Sequence, residues 1–153
     1  TVTEGVASGA AVYTLSEQAS DAEAAALARL ENRADLLAGV DLAGAEDGLA
    51  RVLLDMAQRE TDARSHLLAG ELVAALRLRV GVLRSRPHRS AGFVVLKAPD
   101  IPSLLLELGF LSHAEDRANM LSPDWRREAA AAVTAALDAW VVADRERAAL
   151  LRQ

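Results

Sequence analysis

The chain has 153 residues, 52% of them hydrophobic and 25% charged, which suits one folded domain with a buried core and excludes a disordered chain. The formal net charge of -5 argues against nucleic acid as the main partner, because phosphate binding needs a basic face. The chain has no cysteine, which excludes disulfides and thiolate metal sites, and no apolar run in it is long enough to cross a bilayer.

The first part of the chain predicts a strand and then a helix. Residues 10–15 are β-prone and lie between a glycine and a serine, so we expect a strand there. Ser20 and Glu23 have the spacing of a capping box and predict the start of a helix, and Gly39 predicts its end. One apolar stripe is predicted on this helix by residues that recur at helical spacing, namely Leu27, Leu30, Ala34 and Leu37.

A second helical pattern begins near Gly48 and continues for about thirty residues. The polar residues 58–64 leave open a break near Thr61, because most helices are shorter than this. The residues after it, 84–90, are predicted to form a basic loop that is either solvated or used in binding. The apolar face of the helix is predicted from Leu49, Val52, Leu53, Met56, Leu67, Leu68, Leu72, Val73, Leu76 and Val80.

Glu107 is the most informative residue of the sequence. Two apolar runs, residues 93–96 and 104–106, flank a turn with two prolines and predict two buried strands, and Glu107 ends the second. An ionised carboxylate in an apolar strand needs a partner, because burying it alone costs several kcal/mol. The carboxyl end of a strand is also where α/β sheets collect active-site groups. The alternative is that Glu107 points into solvent from the end of the strand.

Two helices are predicted at the end of the chain. Ser112 and Glu115 form a second capping box, and Ser122 before a proline predicts the start of the last helix. Residues 144–153 are charged and expected to fray. The buried stripe of the last helix is predicted from Ala130, Val133, Leu137, Trp140 and Val141. Strands alternating with helices in this way predict an α/β fold.

The region around Glu107 resembles a known family. Residues 92–112, Gly-Phe-Val-Val-Leu-Lys-Ala-Pro-Asp-Ile-Pro-Ser-Leu-Leu-Leu-Glu-Leu-Gly-Phe-Leu-Ser, are similar to the C-terminal part of the zinc-dependent N-acetylmuramoyl-L-alanine amidases of the cell-division branch. The likeness extends to Glu115, Asp116 and the closing helix at residues 125–140. Residues 11–16 resemble the strand that follows the last metal-binding histidine, and residues 30–40 resemble an inserted regulatory helix.

The resemblance implies a fold and a reaction. The fold would be a mixed twisted sheet flanked by helices, with residues 1–19 and 85–153 in the catalytic domain and residues 20–84 as a helical regulatory insertion. One zinc ion would activate a water molecule to cleave the amide between N-acetylmuramic acid and L-alanine of peptidoglycan. Glu107 matches the glutamate that moves the proton as general base and acid. The implied setting is the periplasm, during separation of daughter cells.

The zinc ligands of the family have no match inside this chain. Two histidines and a glutamate are expected upstream of Thr1, where the chain starts without an initiator Met, so we expect it to begin part-way through a larger protein. His66, His88 and His113 lack the spacing of a zinc site, and surface or capping roles are expected for them. We therefore expect this chain alone to be inactive.

The resemblance also implies regulation. In this branch the inserted helix blocks the groove with an acidic residue that reaches the zinc, and Glu31 is the best match, with Asp35 as second choice. The alternative is that Glu31 belongs to a solvated helix face. A degenerate LytM-type, metallopeptidase-like activator is expected to displace the helix. Its docking surface is predicted at four apolar residues that could instead be core, namely Leu49, Val52, Leu53 and Met56.

A function of another class is a non-catalytic helical module that binds a partner through residues 49–80. The two functions differ in what they require, because only the amidase needs a strand that ends at Glu107. A serine hydrolase is disfavoured, since the sequence has no Gly-x-Ser-x-Gly and no serine with an evident histidine and acid partner.

Overall fold

A computed structural model describes residues 8–37, 48–82 and 85–150 of the chain. These residues form a mixed three-stranded sheet with four helices, which confirms the predicted α/β fold class. The strands are ordered β2–β1–β3 across the sheet. In chain order the elements are β1 (Ala11–Leu15), α1 (Ala22–Leu37), α2 (Gly48–Arg79), β2 (His88–Ala91), a 3₁₀ turn (Val94–Leu96), β3 (Leu105–Glu107), α3 (Ala114–Leu121) and α4 (Pro123–Leu150).

The strands β1 and β2 run parallel. The Val12 N–H donates to the Pro87 carbonyl at 2.8 Å, and four residues later on both segments the Ser16 N–H donates to the Ala91 carbonyl at 3.0 Å. Parallel strands need a long crossover, which here contains α1 and α2. The prediction of a strand at residues 10–15 is confirmed by β1.

The prediction of a strand at residues 93–96 is wrong, and the strand lies earlier, at the polar residues of β2. The expected basic loop at 84–90 therefore contains most of a strand. Two features end the pairing after Ala91. Phe93 is fully buried with its ring against Tyr13, centroids 5.7 Å apart, and the Val94 N–H donates to the side chain of Asn32 at 2.7 Å. A side chain thus replaces the neighbouring strand as hydrogen-bond partner.

Helix α2 is continuous through Thr61, so the break left open there does not occur. Its polar stretch is explained by the buried side chain of Thr61 and by a part-buried hydrogen bond from Gln58 to Asp62 at 2.8 Å. The capping box at Ser20 is displaced by one residue, because Asp21 accepts a hydrogen bond from the Ala24 N–H at 2.8 Å and α1 begins at Ala22. The predicted stop at Gly39 lies outside the described residues.

The buried positions of α1 and α4 differ in part from the stripes that the spacing of their apolar residues predicts. Among the α1 residues whose side chains are described, Ala24 and Ala28 are buried, Leu27 is half-buried and Leu30 is exposed. In α4 the buried positions are alanines, and the predicted Leu137 is exposed. Apolar residues occur on more than one face of these helices, and the faces that pack closely are lined by the smallest side chains. The buried alanines of α4 are Ala129, Ala132 and Ala136.

Helix α4 continues to Leu150, so the expected fraying from residue 144 is not seen up to that point.

The described chain forms two compact units. The first contains residues 8–12, 67–82, 85–88 and 106–150, and in it α3 packs against α4. The second contains residues 13–37, 48–66 and 89–105, and in it α1 packs against the 3₁₀ turn.

Candidate functional site

Glu107 is the last residue of β3, so the predicted strand ending at this carboxylate is confirmed. All three residues of β3 are half-buried, not buried as expected. The physical reason is that β3 is at the edge of the sheet formed by the described residues, where one side of the strand lacks a neighbour. Glu107 is therefore accessible enough to meet another molecule.

The loop that follows Glu107 is fixed by three polar contacts. The Phe110 N–H donates to Asp116 Oδ2 at 2.9 Å, and the His113 N–H donates to the Phe110 carbonyl at 2.9 Å. The Arg117 guanidinium donates to the Leu111 carbonyl at 2.7 Å. These contacts link residues 110–117, so they constrain the backbone from the third residue after Glu107 to the first turn of α3.

Asp116 is the buried carboxylate at the centre of this arrangement, with 5% of its surface exposed. Its Oδ1 accepts from the Ser8 hydroxyl at 2.6 Å, and its Oδ2 accepts from the Gly9 N–H at 3.1 Å as well as from Phe110. Burial alone would raise the pKa of Asp116, but the hydrogen bonds from Ser8, Phe110 and Gly9 and the nearby His113 lower this pKa below its ordinary value. The side chain is thus a stable anion at neutral pH.

The start of α3 differs by one residue from the predicted capping box. His113, not Ser112, is the N-cap residue, because its Nδ1 accepts a hydrogen bond from the Asp116 N–H at 3.4 Å. The helix then begins at Ala114. Ser122 is confirmed as the cap of α4, since its hydroxyl accepts from the Trp125 N–H at 3.3 Å.

A polar pocket of about 910 Å³ lies in the second unit, at the carboxyl ends of β1 and β2. Neither Glu107 nor Glu31 is among the residues that line it. The sequence analysis did not predict this pocket, although Gln58, Arg59 and Asp62, from the polar stretch of α2, are part of its wall. The lining residues are Leu15, Ser16, Glu17, Gln18, Asp55, Gln58, Arg59, Asp62, His66, Ser90, Gly92 and Lys97.

Helix α1 is attached by polar contacts to the segment around β2. Asn32 donates from its side chain to the Gly92 carbonyl at 2.8 Å and accepts from the Val94 N–H. Arg89, only 9% exposed, donates to Glu23 at 2.7 Å and lies 3.6 Å from Asp21. Burial would lower the pKa of Arg89, but these two acids and Tyr13 raise it, so the guanidinium stays charged.

The residues predicted to regulate the site are only partly described. Glu31 is half-buried on α1, next to Asn32. The side chains of Asp35, Leu49, Val52 and Leu53 lie outside the part of the chain whose side chains are described. Met56 is 64% exposed.

No group of three or more His, Asp or Glu side chains able to hold a metal ion occurs within residues 8–37, 48–82 and 85–150, apart from the side chains not described there. His66, His88 and His113, all described, form no such group. The described residues therefore do not fit a zinc ion by themselves, and the ligands that the resemblance implies would have to come from elsewhere.

The fold and this site define an α/β protein with a carboxylate at the end of a strand and a hydrogen-bonded loop after it. A family model described as N-acetylmuramoyl-L-alanine amidase matches residues 1–139, and the chain belongs to this family. This confirms the family that the residues around Glu107 suggested.

Individual relatives are similar over most of the chain. It is 36% identical over 128 residues to the N-acetylmuramoyl-L-alanine amidase AmiA of Salmonella typhimurium, covering 83% of this chain and 44% of that protein. It is 34% identical over 134 residues to AmiC of Escherichia coli, covering 87% of this chain and 32% of AmiC. AmiC of Neisseria meningitidis is 33% identical over 136 residues, 88% of this chain and 32% of that protein. The chain thus spans less than half of the length of these relatives.

None of the described helices combines the length and the apolar character that crossing a bilayer requires.

Proposed function

We propose that this chain is part of a peptidoglycan hydrolase that cleaves the amide between N-acetylmuramic acid and L-alanine of the stem peptide. The proposal is carried by the family match over residues 1–139 together with the position of Glu107 at the end of β3. Such an enzyme acts where peptidoglycan is, outside the cytoplasm. We place it in the periplasm, with daughter-cell separation as its role.

Glu107 is proposed to move the proton of this reaction. Its carboxylate takes a proton from the attacking water as the water oxygen bonds to the amide carbon, and gives a proton to the nitrogen of L-alanine as the C–N bond breaks. Partial exposure allows Glu107 to reach a substrate, and the fixed loop after it limits its movement. Zinc is part of the proposal, with ligands outside the described residues, and when bound it would lower the pKa of the attacking water.

Regulation by α1 is also proposed. Glu31, or Asp35 one turn later, is proposed to block the site, and a LytM-type activator to bind at Leu49, Val52, Leu53 and Met56. The attachment of α1 supports this idea, because α1 buries small alanines and is otherwise held by hydrogen bonds and ion pairs. If α1 moved away, water could take over the hydrogen bonds of Asn32 and of the Arg89–Glu23 pair, so release would cost less than removing large apolar side chains from a core.

The helical interaction module is the alternative. It predicts no strand ending in a carboxylate, whereas β3 ends at Glu107, and the family match covers the strands as well as the helices. These observations favour the amidase.

The experiment that tests the proposal is product analysis by mass spectrometry, with the full-length protein and purified peptidoglycan. The expected products are free stem peptides that begin with the amine of L-alanine, and glycan strands with intact lactyl groups. Release of disaccharides, or of peptides shortened within the stem, would contradict the amidase activity, and no release in the presence of zinc and an activator would contradict hydrolysis altogether.

A further inference from the structure

Asp116 joins two distant segments of the first unit. Its carboxylate binds Ser8 and Gly9, immediately before β1, and also Phe110, three residues after Glu107. The two segments are about a hundred residues apart in sequence, and the side chain that connects them is almost fully buried.

The fit at this junction is close. Gly109 has φ +153°, and a Cβ atom there would lie 2.9 Å from Asp116 Oδ2. Any larger residue at this position would therefore push the carboxylate away or move the backbone. Gly109 is two residues after Glu107, so such a shift would pass directly to the end of β3.

The groups around the Asp116 side chain are hydrogen-bond donors, which favours a carboxylate at this position. Two backbone N–H groups and one hydroxyl point at the carboxylate, and none of these three contacts needs a donor from the side chain. A carboxylate accepts all of them with charged oxygens. An amide could keep both N–H contacts only with its oxygen at the Oδ2 position, and it would then lose the negative charge and turn its NH₂ group toward the Ser8 hydroxyl, whose hydrogen bond would have to reverse. Helix capping needs only the backbone N–H of Asp116, which binds His113, so capping alone does not explain the side chain.

We propose that Asp116 is a positioning residue for the reaction: it holds the loop after Glu107 against the segment that enters β1 and so fixes the direction of the Glu107 carboxylate. This inference rests on the proposed function, in which Glu107 moves the proton. It assigns to Asp116 no contact with the substrate.

The test uses the full-length protein with Asp116→Asn, and Ser8→Ala as a milder variant that removes only the 2.6 Å hydrogen bond. Displacement of a reacting group by about 1 Å costs up to about 100-fold in rate, so we expect Asp116→Asn to lower kcat by about 10- to 100-fold with KM little changed. Ser8→Ala should lower kcat less. Asp124→Asn, an exposed acid in the first turn of α4, is the matched control and should leave kcat unchanged.

Amide hydrogen exchange provides a readout that does not depend on activity. In Asp116→Asn the N–H groups of Gly9 and Phe110 should exchange faster, while amides in the middle of α4 keep their protection. Unchanged exchange at Gly9 and Phe110, or unchanged kcat in a variant with faster exchange, would overturn the proposal. If Asp116→Asn does not fold, Ser8→Ala decides in the same way. A wild-type protein that releases no stem peptide would overturn the proposed function. Amide hydrogen exchange at Gly9 and Phe110 would then still show whether Asp116 holds the two segments together.

Discussion

Arg89 and Asp116 show how single buried charges are accommodated in this chain. Each is at least nine-tenths buried, and each has partners that suit its charge: acidic side chains for Arg89, and N–H and O–H donors for Asp116. Without such partners the cost of burial would be several kcal/mol per ion. The burial of Arg89 could not be predicted from the sequence, because an arginine in a polar segment usually indicates a solvated loop. Asp116 belonged to the quoted resemblance, but its contacts could come only from the structure.

The lowered pKa of Asp116 predicts how stability depends on pH. The folded state binds this proton less readily than the unfolded state, so the contribution of Asp116 is present above the ordinary aspartate pKa of about 3.9 and is lost as pH falls through the lower folded pKa. Asp116→Asn should lower the free energy of unfolding by about 1–3 kcal/mol at neutral pH. In this variant the free energy of unfolding should also fall less steeply as the pH is lowered into the acid range. Urea unfolding at several pH values measures this. If the free energy of unfolding of the variant fell as steeply with acid pH as that of the wild type, the described contacts of Asp116 would be contradicted.

Among the elements, α2 fixes the approach to β3. Thr61 donates from its hydroxyl to the Pro99 carbonyl at 2.7 Å, and the Ser65 hydroxyl accepts from the Ser103 N–H at 3.0 Å. Both hydroxyls are buried on one face of α2, and they hold the proline-rich turn that leads to the strand. Sequence patterns assign polar residues to the surface of a helix or to a break, so the burial of these two hydroxyls could not be predicted.

Thr61→Val keeps the shape of the side chain and removes its hydrogen bond. Because the Pro99 carbonyl then loses a buried donor, we expect the free energy of unfolding to fall by about 1–2 kcal/mol. Thr134→Val is the control, since Thr134 on α4 is exposed and bonds only to its own helix, to the Ala130 carbonyl. Equal effects of the two substitutions in urea unfolding would show that the Thr61 contact adds nothing.

Autoinhibition by helix α1 is predicted to depend on Glu31. Glu31→Ala in the full-length protein should raise basal hydrolysis of peptidoglycan several-fold without activator, because the blocking acid is removed. Glu60→Ala, on the exposed surface of α2, should not. The measurement is the rate of dye release from labelled peptidoglycan. Equal rates for the wild type and Glu31→Ala would remove Glu31 from this role and leave Asp35 to be tested in the same way.

The activator is predicted to bind at the amino-terminal part of α2. Leu53→Glu should abolish binding of the activator while circular dichroism stays unchanged, because a charge would then lie in an apolar interface. Met56→Glu, at a side chain known to be exposed, should weaken binding as well. Titration calorimetry with the purified activator measures both. If Leu53→Glu unfolds the protein, Leu53 is core, and wild-type affinity in Met56→Glu would exclude this surface.

At the scale of the whole molecule, the sequence predicted the α/β class, β1, β3 and the helices of the described chain, because these depend on local patterns. It did not predict β2 or the buried faces of α1 and α4. The reason is that pairing of a polar strand and close packing of alanines depend on partners distant in sequence. The family was predicted from the long motif around Glu107, and the match over residues 1–139 confirms it. The polar pocket could not be predicted, because it is lined by three separate segments.

The most direct test of the account is the rate of stem-peptide release by full-length Glu107→Gln, compared with Glu115→Gln, an exposed glutamate in the first turn of α3. Glutamine keeps the size of the side chain and cannot exchange the proton. We predict that Glu107→Gln lowers kcat by at least about 100-fold with the fold intact, as expected for loss of a general base, while Glu115→Gln retains wild-type kcat. Wild-type turnover in Glu107→Gln would contradict the account.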